Sequence, residues 1–252
     1  MSDTQSYPVV SVVTVVRNDV RGLARTMDSV AAQDYSSLEY VVVDGASTDG
    51  TVEELQRRTA GVTRWISEPD SGIYQAMNKG TRLATGAYVC FMNAGDRFAA
   101  PGTLSLMFEP LPKTELLWGD CIIESDRGEE YDSARDVLKR LHRQMTVSHQ
   151  SLFVRREALL RRPFDESLRI AADYDFLCER LLGGATWEYR PVPVSRIDDN
   201  GASARIFRTS IREKRRISLL RFPARRVSIL LSSLVLEIYM NGKHILKGAR
   251  GR

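Results

Sequence analysis

Apolar residues in the first hundred positions form short runs rich in Val and Ile, and these runs alternate with amphipathic segments. The runs cover residues 8–16, 38–43, 62–67 and 87–92. Continuous β-branched runs of this length are typical of strands buried on both faces of a parallel sheet. The segments between them repeat apolar residues at helical spacing. The pattern therefore predicts the order β-α-β-α-β-α-β with right-handed crossovers.

The predicted helices of this half cover residues 20–33, 52–59 and 73–84. Beyond residue 100 the pattern predicts a helix that begins at Pro101, then strands at 116–123, 147–154 and 186–194 and helices at 155–161 and 171–182. The prolines in 186–194 favour an edge strand. Residues 128–140 are too charged to assign to an element. The fold class predicted is α/β, with a doubly wound, mostly parallel sheet flanked by helices.

Three carboxylates stand at positions where such a fold binds ligands. Asp44 ends the second strand, Asp96 follows the fourth, and Asp173 opens a late helix. The carboxyl ends of strands in an open α/β sheet line one crevice, so the first two are expected to converge there. A carboxylate in such a place can hold a divalent cation or a ribose or base donor, and a third can act as general base. Each also has an ordinary structural explanation, as a turn residue or a helix cap.

Two other features also have both a structural and a functional interpretation. Ser47, Thr48 or Asp49 could cap the second helix, because the first turn of a helix leaves backbone N–H groups unpaired. His149 fits either a hydrogen-bonded core position or a position beside a substrate.

The sequence lacks the motifs of several other classes of nucleotide-binding protein. No G-x-G-x-x-G follows the first strand, and no Gly-rich lysine loop of the Walker type is present. A sugar-1-phosphate nucleotidyltransferase would need a Gly-rich basic loop after the first strand, and residues 17–22 are a poor version of one. Cys90, Cys121 and Cys178 are widely spaced and odd in number, which predicts neither a metal cluster nor a disulfide framework and favours a reducing cytoplasm.

Charge divides the 252 residues unevenly, although the net charge is only +4. From Arg205 onward there are 13 Lys and Arg against 2 Asp and Glu, while the preceding part carries 23 against 30. The division predicts a domain at 1–204 and a basic, amphipathic helical extension at 205–252. The apolar part of the extension is shorter than the roughly 20 residues that span a bilayer.

The extension has two interpretations. It packs on the domain or on a second copy as a homodimer, or it lies on an anionic membrane surface. Nucleic acid is not expected, because no recognition motif with interleaved aromatic residues accompanies the charges. The predicted location is the cytoplasm, with the membrane interpretation placing the protein peripherally on the inner face of the cell membrane.

The motifs taken together resemble family 2 glycosyltransferases of the GT-A fold, in the branch with bacterial polysaccharide, O-antigen, glycolipid and colanic-acid-type enzymes. The resemblance covers residues 8–183 and does not extend to the tail. Its motifs, in the family's order, are VVTVVRN at 12–18, VVDGASTDGT at 42–51, SEPDSGIYQAMNKG at 67–80, ATG at 84–86 and FMNAGD at 91–96.

The resemblance implies an inverting hexosyltransferase that moves a sugar from a UDP- or GDP-sugar to an acceptor hydroxyl in polysaccharide or glycolipid biosynthesis. The acceptor is expected to be lipid-linked on account of the basic tail. Asp173 would be the catalytic base, with His149 and Asp175 on the acceptor side. The nucleotide-sugar would contact Thr14, Val16, Asn18, Asp44, Asp70, Lys79, Asn93 and Asp96.

Two departures from the family pattern bear on activity. Asn93 and Gly95 stand where acids are usual, so Asp96 is the carboxylate left to bind Mg²⁺ or Mn²⁺, and an amide with one carboxylate is a poorer site than two acids. Ala172 stands where many members have Glu. A catalytically degenerate, transferase-like scaffold at the membrane surface is therefore the alternative function.

Overall fold

The computed structural model describes residues 10–58, 61–199 and 206–250, with side chains described as far as Tyr239. Residues 8 and 9 of the predicted first strand, residue 59 of the second helix and the predicted domain boundary at 204/205 lie outside this part of the chain. The division into 1–204 and 205–252 therefore stays a prediction.

Within the described residues, nine strands form one mixed sheet at the centre of the molecule, in the order β3-β2-β1-β4-β8-β6-β9-β5, with β7 paired to β6. Strands β1 to β4 are parallel, as is the pair β6 and β9, and the other pairings are antiparallel. The α/β prediction is thus confirmed. The strands are Val10–Val16, Leu38–Asp44, Arg64–Ser67, Tyr88–Phe91, Arg97–Phe98, Leu116–Ser125, Gly128–Asp132, Leu152–Arg155 and Trp187–Asp198, numbered β1 to β9.

Helices cover both faces of this sheet. They are Val20–Ala31, Thr51–Arg57, Ile73–Leu83, Thr103–Phe108, Val137–Arg140, Arg156–Arg161, Ala172–Leu182, Phe207–Arg221 and Arg226–Arg250, numbered α1 to α9. Alternation along β1 divides the core, since Val13 and Val15 pack with α3, α6 and α7 while Val10 and Val12 pack with α1 and α4. The all-apolar runs arise because both faces are buried.

At the start of α2 the residue directly before the helix has no capping side chain, and Asp49, one position earlier, takes that role. Gly50 precedes the helix in the left-handed region, with φ of 96°, and makes no side-chain cap. Asp49 instead accepts the backbone N–H and the hydroxyl of Thr51, at 3.1 and 2.5 Å. One of the three candidate capping residues therefore satisfies a donor of the first turn.

The predicted strand at 147–154 is only half right. His149–Ser151 form a 3₁₀ turn and only Leu152–Arg155 pair as β8. The Ser151 N–H donates to the Ser148 carbonyl at 2.9 Å and the Ser148 hydroxyl donates to Gln150, and these local bonds replace ladder bonds. The turn carries His149 away from the core, to the carboxyl end of β4.

The prediction of an edge strand holds for residues 187–193, which among the described residues pair with β6 on one side, whereas Ser195 and Arg196 also pair with β5. Strand β9 lies between β6 and β5. Its prolines are tolerated because the register with β6 shifts on either side of Asp120, which pairs with Pro193. At this irregularity Gly119 lies so close to β9 that a Cβ would come within 2.4 Å of the Val192 carbonyl oxygen.

Helix α8 packs on α7, and α9 folds back on α8 after a break at Pro223–Arg225. Glu213 accepts the backbone N–H groups of Arg169 and Ile170, each at 2.9 Å, and Tyr174 and Ser218 join their hydroxyls at 2.8 Å. Within the described residues, none of the helices has the length and apolar character needed to cross a membrane.

Candidate active site

A cavity of about 840 Å³ opens at the carboxyl ends of β1 and β4. Its volume falls in the range of small-molecule sites. The N-terminal ends of α3 and α7 and one face of α8 close its sides, so residues far apart in sequence share one space. Lining residues used below are Val16, Arg17, Asp70, Tyr74, Asn93, Asp96, His149, Gln150, Asp173, Phe207, Ile211, Lys214 and Leu236.

Asp173 enters this cavity from the first turn of α7, with its side chain 13% exposed. Its Oδ1 accepts the Tyr74 hydroxyl at 2.9 Å and its Oδ2 lies 3.2 Å from His149 Nδ1. Burial alone would raise the pKa of Asp173, but the imidazole of His149, the charge of Lys214 and the Tyr74 hydroxyl outweigh it and lower that pKa. The carboxylate is therefore ionised at neutral pH and fixed in orientation.

His149 connects this carboxylate to the loop after β4. The Asn93 amide nitrogen lies 2.9 Å from His149 Nε2. The two ring nitrogens thus face different partners, Nε2 the Asn93 amide and Nδ1 the Asp173 carboxylate. The 3₁₀ turn thus places the imidazole of His149 between the predicted base and the predicted donor-binding loop.

Asp96 lies on that same loop and is held by the next residue of the turn. Gln150 Nε2 donates to Asp96 Oδ2 at 2.7 Å. Burial raises the pKa of Asp96 to about 6, against the effects of the Gln150 hydrogen bond and the charge of His149. The Asn93 side-chain oxygen, two residues after β4 ends, is buried without a hydrogen-bond partner among the described residues.

Asp44 is not among the residues that line the cavity. It is fully buried, and its Oδ2 accepts the Ser47 backbone N–H at 3.0 Å and the Ser67 hydroxyl at 2.6 Å. Its Oδ1 has no hydrogen-bond partner in the described part of the chain. Asp70 and Arg17 press against the next residue, since a Cβ on Gly45 would come within 2.6 Å of Asp70 Oδ2. Arg17 and Asp70 both line the cavity, so they border it beside the residue that follows Asp44.

Of the other predicted site residues, some line the cavity and others do not. Val16 and Asp70 line the cavity, whereas Thr14 donates to the Met92 carbonyl at 2.7 Å inside the core. Asn18, with φ of 52°, accepts the Thr48 N–H at 2.8 Å and so holds the β1 loop to the β2 loop. Lys79 is paired with Glu68 at 2.9 Å. Neither Asn18 nor Lys79 is among the residues that line the cavity.

Asp175, predicted on the acceptor side, points away from the cavity. It is 7% exposed and pairs with Arg162 at 2.5 Å and with Arg221 at 3.0 Å. Two positions along a helix from Asp173 is about 200° of rotation, so the two side chains face opposite directions. Asp175 fixes α8 to α7 and is not carried further as an acceptor contact.

The cavity residues that were not predicted from the sequence include Tyr74, Gln150 and Lys214. Tyr74 stands in the first turn of α3, among residues expected to be turn and core. Gln150 follows the histidine on a segment expected to be a strand. The spacing of Phe207, Ile211 and Lys214, four and three apart, places them on one face of a basic helix, but it does not show that this face borders the cavity.

A sequence model for "Glycosyl transferase family 2" matches residues 11–169, more than half of the chain. An uncharacterized glycosyltransferase of Mycobacterium tuberculosis is 37% identical over 188 residues, which cover 70% of each protein. A PGL/p-HBAD biosynthesis glycosyltransferase of Mycobacterium bovis BCG is 31% identical over 179 residues, covering 67% of this chain and 68% of that protein.

Solved structures agree in fold. Staphylococcus aureus TarS 1–349, in complex with UDP, superposes with a TM-score of 0.64 at 19% identity, covering 84% of this chain and 64% of that chain. The mannosyltransferase PcManGT from Pyrobaculum calidifontis, in complex with GDP-Man and Mn²⁺, gives 0.65 at 21% identity and covers 94% and 70%.

The mixed sheet, the cavity at its strand ends and these comparisons define a glycosyltransferase of the GT-A fold. The chain belongs to glycosyl transferase family 2. Asp173 and helix α8 lie beyond the matched segment.

Proposed function

We propose that this glycosyltransferase moves a sugar, with inversion, from a nucleotide-diphosphate sugar to an acceptor hydroxyl, and that Asp173 is the general base. The observation that carries the proposal is that the fixed, ionised carboxylate of Asp173 shares one cavity with Asp96 and with Asn93, and that His149 joins it to Asn93. Acceptor and donor can therefore meet between these two groups.

The donor class is supported by relatives of the same fold. TarS has been crystallised with UDP and with UDP-GlcNAc, and PcManGT with GDP-Man and Mn²⁺. We place the nucleotide at the strand-end loops, where Val16 and Asp70 line the cavity. Asn18 and Lys79 would then shape the loops beside it, and Asp44 would receive the base once Arg17 and Asp70 have moved.

A divalent cation, Mg²⁺ or Mn²⁺, fits the loop after β4 in a limited way. Asn93 offers a buried oxygen with no partner and Asp96 a carboxylate, and both are oxygen donors of the kind these ions prefer. Among the described residues, however, no group of three His, Cys, Asp or Glu side chains is placed to hold a metal. We infer a weakly held ion that takes its other ligands from substrate and water, and that when bound would neutralise charge on the diphosphate.

The chain's own residues perform the acid–base step in this proposal. The acceptor hydroxyl gives its proton to Asp173 as its oxygen bonds to the anomeric carbon, and the bond from that carbon to the donor phosphate oxygen breaks on the opposite face. The nucleoside diphosphate leaves, and the configuration inverts. Tyr74 and His149 keep the carboxylate pointed at the attacking oxygen.

An acceptor that carries an apolar group is supported by the far wall of the cavity. Phe207, Ile211 and Leu236 line it there, and the mycobacterial relative is named for glycolipid-type PGL/p-HBAD synthesis. Helix α9 also exposes large apolar side chains next to basic ones. Leu231, Val235 and Ile238 are 60%, 66% and 64% exposed, and Arg225 and Arg226 are exposed where the helix begins.

We therefore propose that α9 lies on an anionic membrane surface, which would make the protein peripheral on the cytoplasmic face. Vesicle pelleting tests this with a Leu231→Asp, Val235→Asp double variant, and with Leu106→Asp as a control of equal exposure on α4. Loss of pelleting on anionic vesicles in the double variant alone is expected. A dimer in light scattering that the double variant dissociates, with no vesicle binding, would assign the face to a second copy instead.

Donor hydrolysis tests the transfer itself. A panel of UDP- and GDP-sugars incubated with the protein and Mn²⁺ should show release of nucleoside diphosphate from one of them. Silence across the panel, with no thermal stabilisation by UDP or GDP, would favour the scaffold alternative. The stereochemistry of the released sugar, followed by NMR before mutarotation, decides between inversion and retention.

A further inference from the structure

The cavity contains a lysine that neither the family motifs nor the mechanism above uses. Lys214 extends from the middle of α8 into the lining, and its side chain is half-buried. Its ammonium makes no hydrogen bond and no ion pair with any residue that the structure describes, although Asp173 is near enough to act on it through its charge. Burial lowers the pKa of Lys214, and the carboxylate of Asp173 opposes that shift.

The placement of this lysine is rigid. Its neighbour Glu213 accepts two backbone N–H groups from the segment before α7, and Ser218, four residues after Lys214, is hydrogen-bonded to the Tyr174 hydroxyl. Arg221 closes the same helix onto Asp175 and Glu179. The ammonium is therefore presented to the cavity by a helix fixed at both ends of the segment that bears it.

An unpaired cation in a partly desolvated place loses water without gaining a partner, and a bound anion would restore what is lost. Lysine binds phosphate as a compact point charge and is a frequent phosphate ligand. The other Lys or Arg in the described lining is Arg17, which lies against Gly45 on the opposite wall. The α8 wall thus has one cation of its own, set among the apolar Phe207 and Ile211.

We infer that Lys214 is a phosphate-binding residue of the active site, and that helix α8 is thereby part of the catalytic cavity. The inference rests on the proposed transfer from a nucleotide-sugar. The phosphate belongs either to the donor diphosphate or to a phosphorylated, apolar acceptor, and both present the same oxyanion. The segment that matches the family model ends at residue 169, before α8.

Calorimetry with Lys214→Gln and Lys214→Arg tests the inference. The matched control is Arg212→Gln, which removes an equal charge from an exposed site of the same helix, outside the lining. The probes are pyrophosphate, UDP, GDP and uridine for the donor source, and a short prenyl phosphate and its alcohol for the acceptor source. A lost charge-assisted hydrogen bond lowers affinity by about tenfold or more.

We expect Lys214→Gln to lose this affinity for the phosphate-bearing probes of one source, Lys214→Arg to recover part of it, and uridine and the alcohol to be unaffected. Loss with pyrophosphate and the nucleotides assigns the donor, and loss with prenyl phosphate alone assigns the acceptor. Affinities within twofold of wild type for every phosphate probe, or an equal loss in Arg212→Gln, would overturn the inference. So would a wild-type protein that binds no phosphate probe.

The same experiment separates this inference from the proposed function. Donor hydrolysis by wild type together with unchanged binding in Lys214→Gln would remove Lys214 alone. Absence of hydrolysis in wild type would remove the transfer, while the pyrophosphate and prenyl phosphate titrations would still decide the role of Lys214.

Discussion

The two ends of strand β2 each carry a buried carboxylate, and the two are treated in opposite ways. Glu39, at the amino end, accepts hydrogen bonds from the Ser11 hydroxyl, from the Thr85 N–H and hydroxyl at 2.7 and 2.9 Å, and from the Gly86 N–H at 3.3 Å. Asp44, at the carboxyl end, leaves one oxygen without a partner.

The contrast extends across the sheet. The buried side-chain polar atoms that lack a partner among the described residues are Asp44 Oδ1 and Asn93 Oδ1, and Asp44 is the last residue of β2 while Asn93 lies two residues past the end of β4. Buried polar groups are normally hydrogen-bonded, because leaving one unpaired costs about 1–3 kcal/mol. The amino end of the sheet is therefore built for stability, and the carboxyl end retains unpaired groups suited to a ligand.

The largest effect is expected at the carboxyl end, from Asp173→Asn. A positioned base contributes about 10²–10⁴-fold, so kcat should fall by that factor while nucleotide affinity stays near wild type. Single-turnover transfer and calorimetry measure the two quantities. Unchanged turnover would remove Asp173 from the role, and loss of nucleotide binding in parallel would show a structural defect instead.

Glu39→Gln should show the reverse pattern at the amino end. The amide replaces an acceptor by a donor that faces the Thr85 and Gly86 N–H groups, so we expect the free energy of unfolding to fall by about 2–3 kcal/mol, with kcat unchanged. Denaturant titration against a turnover assay measures both. A fall in kcat with no loss of stability would abolish the distinction between the two ends.

The loss of unfolding free energy in Glu39→Gln depends on pH, and its dependence follows from the pKa of Glu39. Burial would raise it, but the hydrogen bonds from Ser11, Thr85 and Gly86 outweigh burial and lower it below 4.5. The stabilisation is therefore present above the unfolded pKa and is lost as pH falls through the folded pKa. The difference between wild type and Glu39→Gln should be full at pH 7 and shrink below about pH 4.5.

Asp44→Asn is the matched variant on the same strand. Because Oδ1 has no partner to lose and an amide oxygen can still accept from Ser47 and Ser67, stability should change by less than about 1 kcal/mol. Nucleotide affinity should fall about tenfold if the base pairs with this carboxylate. A loss of stability as large as that of Glu39→Gln, with binding unchanged, would make Asp44 a structural residue like Glu39.

The features that the sequence could predict depend on local pattern, and those it could not predict depend on contacts between elements distant in sequence. The strands and the position of Asp173 follow from local pattern, since β-branched runs and helix starts are local features. The 3₁₀ turn at His149, the pairing of Asp175 with Arg162 and Arg221, and the burial of Asp44 depend on elements distant in sequence. Lys214 falls in the second group, because only the docking of α8 on α7 brings it opposite Asp173.

The smallest expected effect is that of the divalent cation on nucleotide binding at the carboxyl end of the sheet. Asp96 is the carboxylate of a loop whose other oxygen donor is an amide, so a cation held there owes much of its coordination to substrate and water. Chelation by EDTA, or Asp96→Ala, should therefore weaken UDP or GDP binding by less than about tenfold, which is under about 1.4 kcal/mol. Calorimetry with and without Mn²⁺ measures this, with Glu39→Gln as the variant that keeps the full metal effect. A hundredfold dependence on Mn²⁺ would mean that further ligands join Asp96 when the nucleotide binds, and no dependence at all would leave the buried Asn93 oxygen for the sugar or the acceptor.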